Sequence, residues 1–363
     1  LIKDLISLGE LQMAQGRGRR AQWKHKYDVL KDYITANPEI HIDASEVSIP
    51  GHLRNEFYKH FDDIRNSFIE SSYASLPFEM DALCRNYIQS EKELTELLSL
   101  DRIELPVDLW TFLHNPKDGL VRWLYNRLFE MVQGKITVDD FEQMGHQDLT
   151  ATAAELFRLG YEAWAAITLI LSLEPDGAFG VGLDEDYEPL VAELKEIAFG
   201  RQFHNPAKRL PEFILHSKKL NRHIAIKMPL AREVDSYYIP YEIPKRMLRH
   251  HTGDTSHVLG SRIMFLSILQ DPKEIPVFID MYTRQIKSPD LTVEFLMEQN
   301  LANPDEIGQV KRRVEIMRPR LGCGIVVMNP EPAPDMVKPA ENMDIFSVGL
   351  DPLKLQPIVD KLA

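Results

Sequence analysis

The chain has 363 residues, 44% of them hydrophobic and 27% charged, with a formal net charge of -13. That is the make-up of a globular protein long enough for two domains, and its acidity argues against a broadly basic nucleic-acid face or a polybasic membrane face. The only cysteines, Cys84 and Cys323, make no disulfide framework and no zinc spacing, which fits a reducing cytoplasm.

In chain order, Leu1, Leu5, Leu8 and Leu11 recur at helical spacing, so residues 1–34 read as helical. Around Trp23 lies GRGRRAQWKHK, with Arg17, Arg19, Arg20, Lys24 and Lys26. Guanidinium groups beside a stacking ring suit nucleic acid, but in so acidic a chain a solvated helix face is the better reading. From Leu53 to Ser71, Phe57, Phe61, Ile64 and Phe68 mark one apolar helix face. Pro77 opens the next helix, which carries Glu91, Lys92, Glu93 and Glu96 on its exposed side. PVDLWTFLHNP and GLVRWLYNRLFEMV follow as helices.

Gly134 stops that run, and Thr137 with Asp140 makes a capping-box variant for the next helix. Ala163 to Leu173 is the longest charge-free apolar run, about half of the roughly 18–20 residues a membrane span needs, so it reads as a buried helix. Gly177, Gly180 and Gly182 precede Asp184, Glu185 and Asp186, a pattern that suits an interhelical loop better than a cation-binding one. A helix over Leu190–Phe199 and a boundary at Asn205-Pro206 complete an all-α array of about seven helices over 1–205.

Residues 206–363 read as a mixed α/β domain with a small sheet of about five strands, so the whole is an α+β, two-domain chain. Strands are expected at His223–Met228, Arg262–Leu269, Pro276–Tyr282, GIVVM and DIFSVGL, with an edge strand at Val234–Ile243 that contains Pro240. Helices are expected at 291–299, at 304–317 after Asn303, and at the C-terminus. A proline-rich loop, NPEPAPDMVKPAEN, lies between the last two strands.

The densest group of reactive side chains is the loop HHTGDTSH. His250, His251, Asp254 and His257 offer imidazole and carboxylate ligands for a divalent metal, and Arg249 and Arg262 add cations for an anionic ester. With metal-bound water as nucleophile, that set describes a phosphoester hydrolase with His250, His251, Asp254 and Arg262 as catalytic candidates. A D/E-x-K triplet at Asp271-Pro272-Lys273 falls in an expected turn and carries little weight. The i, i+4 pairs Glu56/His60, Glu142/His146 and Glu212/His216 read as ordinary helix-face pairs. There is no GxSxG elbow, Walker A loop or GxGxxG fingerprint.

The favoured function is therefore a protein-binding or assembly module with no catalytic activity of its own, and the metal-dependent hydrolase is the alternative. Its expected partner is another protein, or a second copy met through an edge strand bearing Tyr237, Tyr238 and Tyr241.

Overall fold

A computed structural model describes residues 22–76, 79–186, 188–198, 208–228, 263–280, 283, 285–301, 303–328 and 341–363. The chain divides into two compact units, one of Leu1–Cys84 with Thr111–Phe157 and one of Arg85–Trp110 with Arg158–Ala363. Helix and sheet are mixed, as expected, but strands begin earlier in the chain and are more numerous.

The first unit begins with helix α1 at residues 22–36, followed by the short antiparallel hairpin of β1 (His41–Ile42) and β2 (Val47–Ser48). Helix α2 spans Arg54–Ser72, and α3 starts at Met80 and runs to Leu98. Next come α4 (Val107–His114), α5 (Pro116–Val121), α6 (Tyr125–Val132) and α7 (Val138–Ser172); residues 85–98 of α3, 107–110 of α4 and 158–172 of α7 are counted in the second unit. Phe57, Phe61, Ile64 and Phe68 are all fully buried, so the apolar stripe read from α2 is its core face. Rings from other helices complete that core: Phe61 meets Phe129 at 4.5 Å between centroids, and Phe68 meets Phe141 at 5.2 Å.

Trp23 is fully buried too, edge-on to Phe68 at 5.5 Å. The ring offered for stacking on a base is a core residue. Its neighbour Lys24 reaches Glu142 at 2.7 Å, which removes the nucleic-acid reading from the described part of that stretch. The capping box at the start of α7 is reciprocal: the Asp140 amide donates to Thr137 Oγ1 at 3.1 Å, and the Thr137 amide donates to Asp140 Oδ2 at 3.0 Å. Gly119 in α5 has a packing role. A β-carbon there would sit 2.6 Å from Phe112 Cα in α4, so only glycine lets the two short helices approach so closely.

In the second unit, β3 (Arg102–Glu104) runs parallel to β6 (Glu196–Ala198). An eight-stranded sheet holds most of the remaining strands, β4 (Pro175–Leu183), β5 (Pro189–Ala192), β8 (Phe213–Ser217), β9 (Arg222–Lys227), β10 (Ile263–Leu269), β13 (Leu291–Leu296), β14 (Cys323–Val327) and β15 (Met343–Ser347). Its order is β15-β14-β13-β10-β9-β8-β4-β5. Strands β13, β14 and β15 are mutually parallel, while every other neighbouring pair is antiparallel. A three-stranded sheet joins β7 (Lys208–Arg209), β11 (Ile279–Asp280) and β12 (Gln285–Ile286).

Helices α8 (Glu298–Leu301) and α9 (Pro304–Met317) make the crossover between β13 and β14, and α10 (Gln356–Asp360) follows a 3-10 turn near the C-terminus. The start of α9 is capped as its sequence implies, with Asn303 Oδ1 accepting from the Asp305 amide at 3.0 Å. Its inner face buries Ile307, Val310 and Val314 against Leu296, Ile325 and Val327 of the sheet.

Two expected helices are strands instead. Residues 291–296 form β13, with all six buried, and the run LTVEFL carries the Thr, Val and Phe that favour a strand covered on both faces. The run Leu190–Phe199, rich in helix formers, is divided between β5 and β6. Pairing with the edge of β4 overrides local propensity there. Gly180 assists, because a β-carbon at that point would lie 2.9 Å from the Glu193 carbonyl oxygen. The glycine-rich run 177–182 is thus part of β4 and not a loop.

Candidate functional site

His250, His251, Asp254, His257, Arg262, Tyr237, Tyr238, Tyr241 and the expected strand at 234–243 lie outside the described residues. The strand directions still locate their points of attachment. Residues 229–262 connect the end of β9 to the start of β10, and both fall on the edge of the sheet where parallel β13, β14 and β15 end. In open parallel α/β sheets, ligand sites favour the carboxyl edge of the strands.

A buried ion pair marks the same edge. Lys227, the last residue of β9, donates from Nζ to Glu212 Oε1 at 2.8 Å, and the Met228 amide donates to Glu212 Oε2 at 2.8 Å. Both side chains are buried. Burial pushes the Glu212 carboxyl above its ordinary range, against the pull of Lys227 and the amide hydrogen bonds. Glu212 precedes β8, so its pairing with Lys227 replaces the helix-face partnership with His216 expected from the i, i+4 spacing.

At the opposite edge, His216 Nδ1 and Asp176 Oδ1 are 2.5 Å apart, and the ring of His216 lies 5.0 Å from that of His223, its partner across β8 and β9. Contact with His216 holds the Asp176 carboxyl below its usual value. Desolvation, with the neighbouring His216, lowers His223. Among the described residues no three His, Cys, Asp or Glu side chains are arranged to hold a metal ion. Asp184 follows suit: its Oδ1 accepts from the amides of Asp186 at 3.0 Å and Glu188 at 2.8 Å, closing the β4–β5 turn. Asp271 likewise accepts from the Lys273 amide at 2.8 Å in a turn, and buried Cys323 has its thiol pushed up to about 12 by desolvation.

A cleft of about 650 Å³ is built within residues 85–110. One wall is a single face of α3, where Ile88, Glu91, Lys92, Thr95 and Glu96 follow helical spacing. Helix α3 stops at Ser99, whose left-handed φ of 53° turns the chain back, and the Leu100 amide donates to the Thr95 carbonyl at 2.9 Å. The returning chain, residues 101–105 with β3, makes the other wall, and Trp110 of α4 closes one side. Ile103 and Leu105 are buried beneath it, whereas Ile88 is 39% and Trp110 46% exposed. Seven large apolar side chains are exposed among the described residues, and four of them, Ile88, Leu97, Val107 and Trp110, fall in this short stretch. Of these four, Ile88 and Trp110 line the cleft, and exposed apolar side chains that share one site carry more meaning than scattered single ones.

Sequence reasoning took the α3 face to be merely exposed and passed over Trp110. The signal was there in Ile88 and Trp110, apolar positions left over once the core stripes of α3 and α4 are filled. Comparison with protein-family models, curated proteins and solved structures found no match to this chain.

The buried pair supplies a test with a defined sign. In Lys227→Met the Glu212 carboxylate loses its cation, so its folded-state pKa rises further above the unfolded value. The folded protein then holds the proton more tightly, and stability falls as pH climbs from the carboxylate range towards that raised value. Urea unfolding should show a loss of about 3–5 kcal/mol at pH 7 and a smaller loss at about pH 5. An equal loss at both would mean that Glu212 is not carried as a buried charge.

Proposed function

We propose that this chain is a protein-binding or assembly module, with no catalytic activity of its own, and that the Trp110 cleft is its partner-facing surface. The supporting observation is that two exposed apolar side chains, Ile88 and Trp110, line one concave site. Its volume is in the range of roughly 300–1,000 Å³ common to binding pockets. Tryptophan is among the residues that most often anchor protein interfaces, because one side chain removes a large apolar area from water. No described helix is long and apolar enough to cross a membrane. The scarcity of cysteine supports placing the module in the cytoplasm.

The hydrolase reading keeps one supporting observation, the attachment of the 229–262 segment at the carboxyl edge of the parallel strands. It requires near-stoichiometric divalent metal on purified protein and its loss in His250→Ala/His251→Ala/His257→Ala. Trace metal in both, by elemental mass spectrometry, removes that reading.

The binding reading is tested at Trp110. Affinity-tagged wild type recovered from its native cells should retain a defined protein partner, and Trp110→Glu, folded to the same extent by circular dichroism, should lose it by about tenfold or more, the effect of deleting an interface anchor. Equal retention by both proteins would contradict the assignment of the cleft.

A further inference from the structure

The hairpin end of β8 and β9 gathers two histidines and two aspartates from four neighbouring stretches of the sheet. His216 and His223 are direct partners across the antiparallel ladder, and their ring centroids lie 5.0 Å apart. Asp176 of β4 meets His216 Nδ1 at 2.5 Å. Asp271, just beyond β10, acts on His223 from the β10 side of β9.

Both rings stand on the sheet face that carries the small core of Ile214, Ala225 and Leu269, because each histidine lies two residues along its strand from a member of that core. Leu269 is the β10 partner of His223, and the Phe179 ring lies 6.0 Å from the His223 ring. His223 is therefore a partly buried side chain at the margin of an apolar layer.

The neutral imidazole is the form that fits there. A proton on His223 places charge against Leu269 and Phe179, and beside a like charge whenever His216 is protonated too. Asp176 and Asp271 oppose this, but both are exposed to solvent that screens them, and Asp176 is already engaged by His216. Lys218 in the turn acts on Asp176 and weakens its pull further. Burial wins: desolvation first, then His216, holds the His223 ring below the ordinary imidazole value of about 6.5.

The direction of the pH effect follows from linkage. The unfolded chain takes up this proton at about pH 6.5 and the folded chain only below it. This end of the sheet thus keeps its full stability above about pH 6.5 and loses it as pH falls through that value to the lower folded one. The β8 side of the hairpin has anchors that do not titrate. Ser217 Oγ donates to the Leu173 carbonyl at 2.5 Å, and the Lys218 amide donates to the Glu174 carbonyl at 3.0 Å.

We propose that the His216–His223 pair is an acid-sensitive latch: with His223 neutral the start of β9 is seated between β8 and β10, and its protonation releases that end while the rest of the sheet stays formed. Such local opening is well below the cost of global unfolding and is read by hydrogen exchange.

The experiment is amide hydrogen exchange of the full chain at about pH 7.5 and about pH 5.5, either side of the ordinary imidazole value, corrected for intrinsic rates. Wild type is expected to lose protection at residues 222–225 and 268–269 in the acid sample, while β13 and β14 keep theirs. His223→Phe keeps a ring that takes no proton, and His223→Gln keeps a polar side chain that takes none. Both are expected to show no acid-induced loss at those residues. Each protein is compared with itself at two pH values, so a change in baseline stability does not hide the result. Equal protection of wild type at both pH values would overturn the proposal. So would an acid loss of the same size in either variant, or one shared equally by β13 and β14.

Discussion

A carboxylate carried into the middle of a sheet has to be met by a cation, and the second unit depends on meeting that demand twice. Glu294 lies in β13, the strand at which the antiparallel and parallel parts of the sheet join, and is fully buried. Arg313 of α9 reaches it with two hydrogen bonds, Nε at 2.6 Å and Nη2 at 2.9 Å. The planar guanidinium matches the carboxylate edge to edge, so the pair fixes where α9 sits along the sheet as well as neutralising the charge. Glu212 and Lys227 do the same between the ends of β8 and β9. Neither pair is a large net source of stability, because desolvating each ion costs several kcal/mol and much of the Coulomb gain offsets that. Their effect is on specificity: a slip of one residue along β9 or β13 would turn a buried charge away from its partner.

The same demand explains how far the sequence could be read. Aromatic spacing in α2, the capping box of α7 and the Asn303-Pro304 start of α9 are local signals, each complete within a few residues, and they hold. The short strands around Ile224, Phe265 and Val326 are legible too, since β-branched and aromatic runs bounded by polar turns have few other readings. Residues 291–299 mislead because Glu294 in an apolar run looks like the polar side of a helix. Its partner lies 19 residues on, and only the folded chain brings Arg313 to it. Leu190–Phe199 misleads for another long-range reason. Its composition favours a helix, and the edge of β4 that captures it is specified elsewhere.

The cleft was legible only in part. Its carboxylates are plain in the run EKELTELLSLDRIE, but a charged helix face reads first as solvated surface. What turns that face into a wall is the left-handed turn at Ser99, which folds Ile103 and Leu105 back beneath it. Trp110, an apolar residue on a helix, reads by default as core until the packing shows it half exposed. The loop at 250–257 drew attention by its histidines, but it lies outside the described residues.

The claim that this cleft is the working surface of the protein is tested most directly by a photo-reactive side chain placed in it. Ile88 is replaced by benzoyl-phenylalanine in one protein and Leu353, 82% exposed and outside the cleft, in another, each expressed in the native cells. Irradiation is predicted to give a discrete crosslinked protein species from position 88 and little from position 353. Adducts of equal yield from both positions, or none from position 88, would contradict the account.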